Sequence, residues 1–149
     1  MTEPDPSALI TRIGVIHLTW KRFLQRRLDA YQTNLKQLYL LRQLRDRQYL
    51  YPADVAEMLY CDRPTATAIL NTMQRRGWIT RRRDPDSGRR VQIRLASAGR
   101  RKLQSIPVRI FRTEGTPVHP LSCLSDSQLR QFDRLLMRVE QHVKELPHE

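Results

Sequence analysis

The chain has 149 residues, 40% of them hydrophobic, and carries a formal net charge of +12 with a pI near 10.8. That length suits one domain with its own core, spanning 1–149. No apolar run reaches the length of a membrane span, the N-terminus lacks the charged-then-apolar pattern of a signal peptide, and two cysteines, Cys61 and Cys123, make neither a disulfide framework nor a zinc site. A cytoplasmic protein with no membrane partner is expected.

Met1 to Pro6 read as an unstructured lead. From Ser7 a long helix is predicted, with Leu9, Ile13, Ile16, Trp20, Phe23 or Leu24, and Leu28 on one side at spacings of three and four. Its apolar surface exceeds what a small domain can cover, so part of it is expected to be buried by another chain. Asn34 or Thr33 can cap a second helix whose inner face is Leu38, Leu41 and Leu44. Arg45 to Tyr49 is polar and reads as a connector. Pro52 sits well at the first position of a third helix, with Val55, Ala56 and Leu59 inward.

The stretch from Asp62 to Leu95 carries the most information. Asp62 is a good N-cap, and Pro64 is tolerated in the first turn, where its missing N–H is not needed. Ala66, Ile69, Leu70 and Met73 make one apolar stripe, and Gly77 ends the helix with Arg75 and Arg76 in its last turn. The opposite face presents Arg63, Thr65, Thr67, Ala68 and Asn71, mostly short side chains that let a helix approach base edges. A third and a fourth helix separated by so short a turn make a helix-turn-helix. Two strands follow, Trp78 to Arg83 and Val91 to Leu95, joined by a turn with Pro85 and Gly88. Helix plus basic hairpin is the plan of a winged helix, which fits a major groove and an adjacent minor groove.

Ser97 to Leu103 reads as a short basic helix ended or kinked by Pro107. Pro107, Pro117 and Pro120, with Gly115, argue against a continuous helix beyond it, and Val108 to Arg112 stays open between helix and strand. Ser125 to Gln128 matches a capping box, opening a helix to about Leu146 with Leu129, Phe132, Leu135 or Leu136, Val139 and Val143 on one face. The fold class is therefore mainly α with a small β-hairpin wing: a winged lobe over 34–103 flanked by dimerisation helices at 7–31 and 125–146.

Charge is concentrated in the middle. Between Arg63 and Lys102 there are twelve Lys/Arg and two Asp, a balance of +10. A one-sign block on folded elements points to a polyanion, with double-stranded DNA first. There is no Gly-rich phosphate loop, no clustered metal set and no nucleophile–base motif, so enzyme activity and cofactors are not expected. Asp84 and Asp86 lie in the turn beside arginines, which is a turn composition rather than an acid/base pair.

With these residues laid out, the chain resembles the MarR (multiple antibiotic resistance regulator) family. Asn34-Leu35-Lys36-Gln37 resembles the family's Thr-x-x-Gln helix start, and Val55-Ala56-Glu57-Met58-Leu59 its Leu-Ala-Glu-x-Leu. Gly77-Trp78-Ile79-Thr80-Arg81 resembles the Gly-Leu-Val-x-Arg wing entry, Asp84-Pro85 and Arg89 match the wing, and Leu95-Ala96-Ser97-Ala98-Gly99-Arg100 resembles the exit. The resemblance implies a homodimeric transcription regulator, commonly a repressor of a pseudo-palindromic operator released by a small ligand or an oxidant. It implies base-reading candidates Arg63, Pro64, Thr65, Thr67 and Ala68, with Asn71 at the margin, and Arg89 at the wing tip. Arg90 joins Arg89 as a DNA-contact candidate, and Arg75 and Arg76 suit phosphate contact or helix capping. Ser87 stands where the family has an aspartate, with Asp86 beside it as an alternative partner for the wing arginine. His17, Trp20 and Lys21 are candidates for lining a ligand cleft, although a core tryptophan beside exposed His and Lys is the simpler reading. Cys61 reads first as a small apolar plug and second as a redox site, since Arg63 and a helix N-terminus lie nearby. The alternative function is a winged module that binds nucleic acid without sequence preference or assembles a complex.

Overall fold

A computed structural model describes residues 3–113, 116–117 and 119–147. The chain divides into two compact units, one through Ile110 and one from Phe111.

The first unit opens with α1 (Pro6–Asp29). Its start lies inside the predicted lead, because the Asp5 carboxylate accepts the Ser7 N–H at 3.1 Å and Pro6 suits the first helical position; Met1 and Thr2 lie outside the described residues. Leu24 and Leu28 are buried, whereas Leu9, Ile13 and Ile16 are exposed. Asn34, not Thr33, caps α2 (Leu35–Asp46): its side chain accepts the Gln37 N–H at 2.9 Å, and the Gln37 carboxamide accepts the Asn34 N–H at 3.1 Å. Thr33 is buried and donates its hydroxyl to the same Gln37 oxygen. Arg45 and Asp46 belong to the last turn of α2 rather than to a connector, where they pair at 2.7 Å and Arg45 complements the helix dipole.

Pro52 opens α3 (Pro52–Met58), and Asp62 caps α4 (Arg63–Arg75). The turn between them passes through Tyr60 in a left-handed conformation (φ 49°). Gly77 takes φ 71° after α4, as a helix-ending glycine should. Trp78, expected in the first strand, precedes it: its N–H bonds the Met73 carbonyl at 2.9 Å and its ring is buried. The hairpin pairs β1 (Ile79–Arg83) with β2 (Val91–Leu95), from Ile79 opposite Leu95 to Arg83 opposite Val91. Leu50 adds an antiparallel bridge to Ile93. In α5 (Ser97–Ser105), Gly99 packs so closely on the Trp78 carbonyl that a Cβ would collide with it.

Between these elements Leu41, Leu44, Leu50, Val55, Ala66, Leu70, Met73, Trp78, Ile79 and Ile93 belong to one buried core. Each fully buried large side chain contributes roughly 1.5–3 kcal/mol over its exposed state. Core burial of Ala66, Leu70 and Met73 fixes the rotation of α4, so its other face must point to solvent. A 3-10 turn, Val108–Phe111, resolves most of the open stretch, and Arg27 donates to the Ile110 carbonyl at 2.8 Å.

The second unit holds a two-residue pair, β3 (Arg112–Thr113) with β4 (Thr116–Pro117), and α6 (Asp126–Glu145). Gly115, counted above as a helix breaker, lies outside the described residues. Ser125 and Gln128 form the predicted capping box. No residue of α6 is buried, and Leu135, Leu136, Met137, Val139 and Val143 are all exposed.

Candidate nucleic-acid interface

The face of α4 opposite the core carries Arg63, Pro64, Thr65, Thr67, Ala68 and Asn71, and all six are exposed. Its N-terminal turn is built firmly. Asp62 accepts the Thr65 N–H at 2.7 Å, and the Thr65 hydroxyl and N–H together hold the Asp62 carboxyl below the usual carboxylate range. Asn71 is not a free reader: its side-chain oxygen accepts Arg81 of β1 at 2.8 Å, which pins the wing entry to the helix. Arg75 donates to the Thr72 hydroxyl and stays exposed along the same helix. Arg76 turns elsewhere. It lies 4.9 Å over the Trp78 ring and donates to the Gln32 carbonyl, while Lys102, 5.4 Å from the centroid of the same ring, donates to the Tyr31 carbonyl at 2.6 Å. Arg76 ties the corner between α1 and α2 to the end of α4, and Lys102 ties it to α5.

The hairpin turn is organised by Asp84, a buried carboxylate. It accepts the Tyr51 hydroxyl and the N–H groups of Asp86 (2.8 Å) and Ser87 (3.3 Å). The Tyr51 hydroxyl, then the Asp86 N–H, hold its carboxyl below the usual range, and Tyr51 is in turn pushed up to about 12. Arg90 lies 5.0 Å over the Tyr51 ring, and Arg89 is exposed beside it. Asp86, the alternative partner for the wing arginine, forms no ion pair with Arg89, and its backbone N–H is engaged by Asp84.

Among the described residues, the ion pairs are Arg45–Asp46 and Lys144–Glu140. None involves the arginines between Arg63 and Lys102, so the field of that block is not neutralised internally. Sequence reasoning placed the candidate contact residues on the exposed face of α4 and on the hairpin turn, where the structure has them. It missed the Tyr51–Asp84 and Asn71–Arg81 bonds. The Asp-Pro-Asp-Ser-Gly composition signalled an Asx-type turn, but nothing in the sequence placed Tyr51 beside it.

A cleft of about 520 Å³ in the first unit is lined by His17, Lys21, Lys36, Tyr39 and Tyr60 among others. Two of the three predicted cleft residues are there. Trp20 is not; it stacks on Phe23 at 5.3 Å, half-buried on its own helix. Cys61 is half-buried and packs against the core, and Cys123 is exposed. Among the described residues no group of three His, Cys, Asp or Glu side chains is placed to hold a metal, and no helix is long and apolar enough to cross a membrane.

A sequence model of the MarR family matches residues 33–91. Comparison by sequence with curated proteins gives no match. Among solved structures, the chain is similar to the transcriptional regulator SlyA (TM-score 0.76, 20% identity, 92% of this chain and 94% of that one). It is also similar to a cysteine-to-serine mutant of MarR from E. coli complexed with operator DNA (TM-score 0.74, 20% identity, 89% and 93%). A third is the PcaV transcriptional regulator from Streptomyces coelicolor in complex with its natural ligand (TM-score 0.66, 26% identity, 95% and 98%). The MarR-family sequence pattern lies over residues 33–91, the helix-turn-helix and most of the wing, and the fold shared with these structures extends over nearly all of the chain.

Proposed function

We propose that the chain is a cytoplasmic, homodimeric transcription regulator that represses by occupying a pseudo-palindromic site on double-stranded DNA. The observation that carries this reading is the exposed short-side-chain face of α4 beside a wing turn whose arginines, Arg89 and Arg90, have no carboxylate partners. Pro64, Thr65, Thr67 and Ala68 let the helix approach base edges in a major groove, and Arg63 is long enough to reach a base or a phosphate. Arg75 suits a phosphate. Arg89 and Arg90 extend from the turn toward a minor groove. Arg76 acts differently, through the corner it holds. A two-fold dimer places its recognition helices about one helical turn apart, roughly 10 bp.

Two exposed apolar surfaces support dimerisation: Ile10, Ile13 and Ile16 with their neighbours on α1, and the unburied stripe of α6. The cleft at His17, Lys21 and Lys36 supports a small-molecule effector with a carboxylate, set against Tyr39 and Tyr60. Such a ligand releases DNA only by binding unequally to the DNA-competent and DNA-incompetent states. MarR with operator DNA and PcaV with its natural ligand are neighbours of the same fold.

The test is binding of purified protein to labelled DNA upstream of its own gene, at near-physiological salt with excess unrelated duplex. Saturable binding that footprints a two-fold site is expected. Loss of all binding to competitor would instead favour a module without sequence preference, because a specific regulator prefers its site by on the order of a thousandfold.

A further inference from the structure

A second basic site lies apart from α4. The last turn of α2, the hairpin and α5 enclose a pocket of about 440 Å³ whose charged lining is Arg45, Arg47, Arg82, Arg94 and Arg100, with Asp46. No residue of α4 or of the wing turn contributes to it. Strand alternation explains the separation. Arg81 bonds Asn71 of α4, so its neighbours Thr80 and Arg82 lie on the other face of the hairpin, together with Arg94, which pairs across from Thr80.

The charges at this pocket do not cancel. Five guanidiniums less one carboxylate leave four positive charges, and Asp46 is already engaged by Arg45 at 2.7 Å. The carbonyl end of α2 offsets only about half a charge. Arg94 is preorganised: the Gln92 oxygen accepts from it at 3.1 and 2.7 Å, and its guanidinium lies 5.4 Å from the Tyr49 ring centroid. Arg47, Arg82 and Arg100 are exposed and form no ion pair among the described residues. Guanidinium forks match phosphate oxygens two at a time, and several around one concavity favour a compact polyanion over a single carboxylate.

We propose that this pocket binds a small molecule bearing a di- or triphosphate, whose three or four negative charges match the four left open. The site is independent of the DNA-binding reading, since it shares no residue with the recognition helix or the wing tip.

The test is calorimetric titration of the full chain with inorganic pyrophosphate, against sulfate at matched ionic strength. Saturable binding of pyrophosphate in preference to sulfate is expected, weakened by about tenfold or more in R82Q/R100Q and changed by less than about twofold in R63Q/R89Q. No saturable binding, equal binding of sulfate, or an equal loss in R63Q/R89Q would each overturn the site. The same R82Q/R100Q variant titrated with unrelated duplex distinguishes the source of phosphate. Unchanged duplex affinity is expected, and a loss of about tenfold would assign these arginines to the DNA backbone and overturn the proposal. R47Q, at the exposed C-cap of α2, provides a second reading should the double variant melt early: weaker pyrophosphate binding is expected, and full affinity would overturn the site.

Discussion

The buried Asp84 carboxylate accepts the hydroxyl of Tyr51, joining the wing turn to the residue that caps α3. The bond links elements 33 residues apart and gives the arginine-bearing turn a fixed base. Asp84 also collects the N–H groups of Asp86 and Ser87, so one carboxylate closes the turn and anchors it.

Tyr51→Phe removes one donor and leaves the others in place. Its cost follows Asp84. That carboxyl titrates below its ordinary 3.8 in the fold, so the contribution is complete above that value and is lost as pH falls through the folded value. Tyr51 is shifted the opposite way, from 10.0 to about 12, so its share is complete below 10 and is lost as pH rises toward 12. The phenylalanine variant is expected to melt below the wild type at neutral pH, with the gap closing under acid. A gap that is constant from pH 7 to pH 3 would remove Asp84 as the cause.

Arg89→Ala should weaken duplex binding at low salt. Arg89 is exposed and forms no ion pair, so on the proposed reading its loss removes a phosphate or minor-groove contact without disturbing the fold. The slope of log affinity against log salt should fall by about one for a single lost contact. An unchanged slope and affinity would take the wing tip out of the interface.

Asn71→Ala tests a positioning role. Without the side-chain oxygen that accepts Arg81, the wing entry is no longer tied to α4. Duplex affinity should fall, and Arg81→Ala combined with it should add little, because neighbours sharing one bond are not additive. Full additivity in that double-mutant cycle would mean the two residues touch DNA separately.

Most of the fold was legible because its signals are local. Asp62 and Ser125 mark helix starts through their own side chains, Gly77 marks a helix end through its backbone, and the Ala66, Leu70 and Met73 stripe fixes α4 by periodicity. The exposed face of α4 follows from that stripe by subtraction. What escaped was long-range or cooperative. Arg76 reads like a helix-end cation, yet Trp78 and the Gln32 carbonyl, 44 residues away, decide where it points. Trp20 falls on the predicted side of α1, but its stacking on Phe23 keeps it along the helix and out of the cleft. The arginine pocket could not be seen at all, since it joins three elements through strand alternation.

Gly99→Ala probes the packing of α5 on the wing. A Cβ there would meet the Trp78 carbonyl, which is backbone and cannot move aside, and Leu95 at 2.9 Å. Alanine raises helix propensity, so a gain would be expected from propensity alone. Overpacking should win and cost about 1–3 kcal/mol, read as a lower midpoint in urea at unchanged slope. A stabilised variant would show that α5 can shift freely from the hairpin.

Removal of α6 tests the arms. The helix caps itself well through Ser125 and Gln128, yet buries none of its apolar residues within the chain. A stripe of Leu135, Leu136, Val139 and Val143 left in water costs roughly 1.5–3 kcal/mol per side chain relative to full burial, which a second copy can recover. A chain ending at Ser125 should therefore sediment as monomer or aggregate. Val139→Lys is the gentler test: one charge placed in the stripe should weaken dimerisation by at least about tenfold while the winged lobe keeps its melting transition. A soluble, concentration-independent dimer in both variants would show that α6 is not an arm.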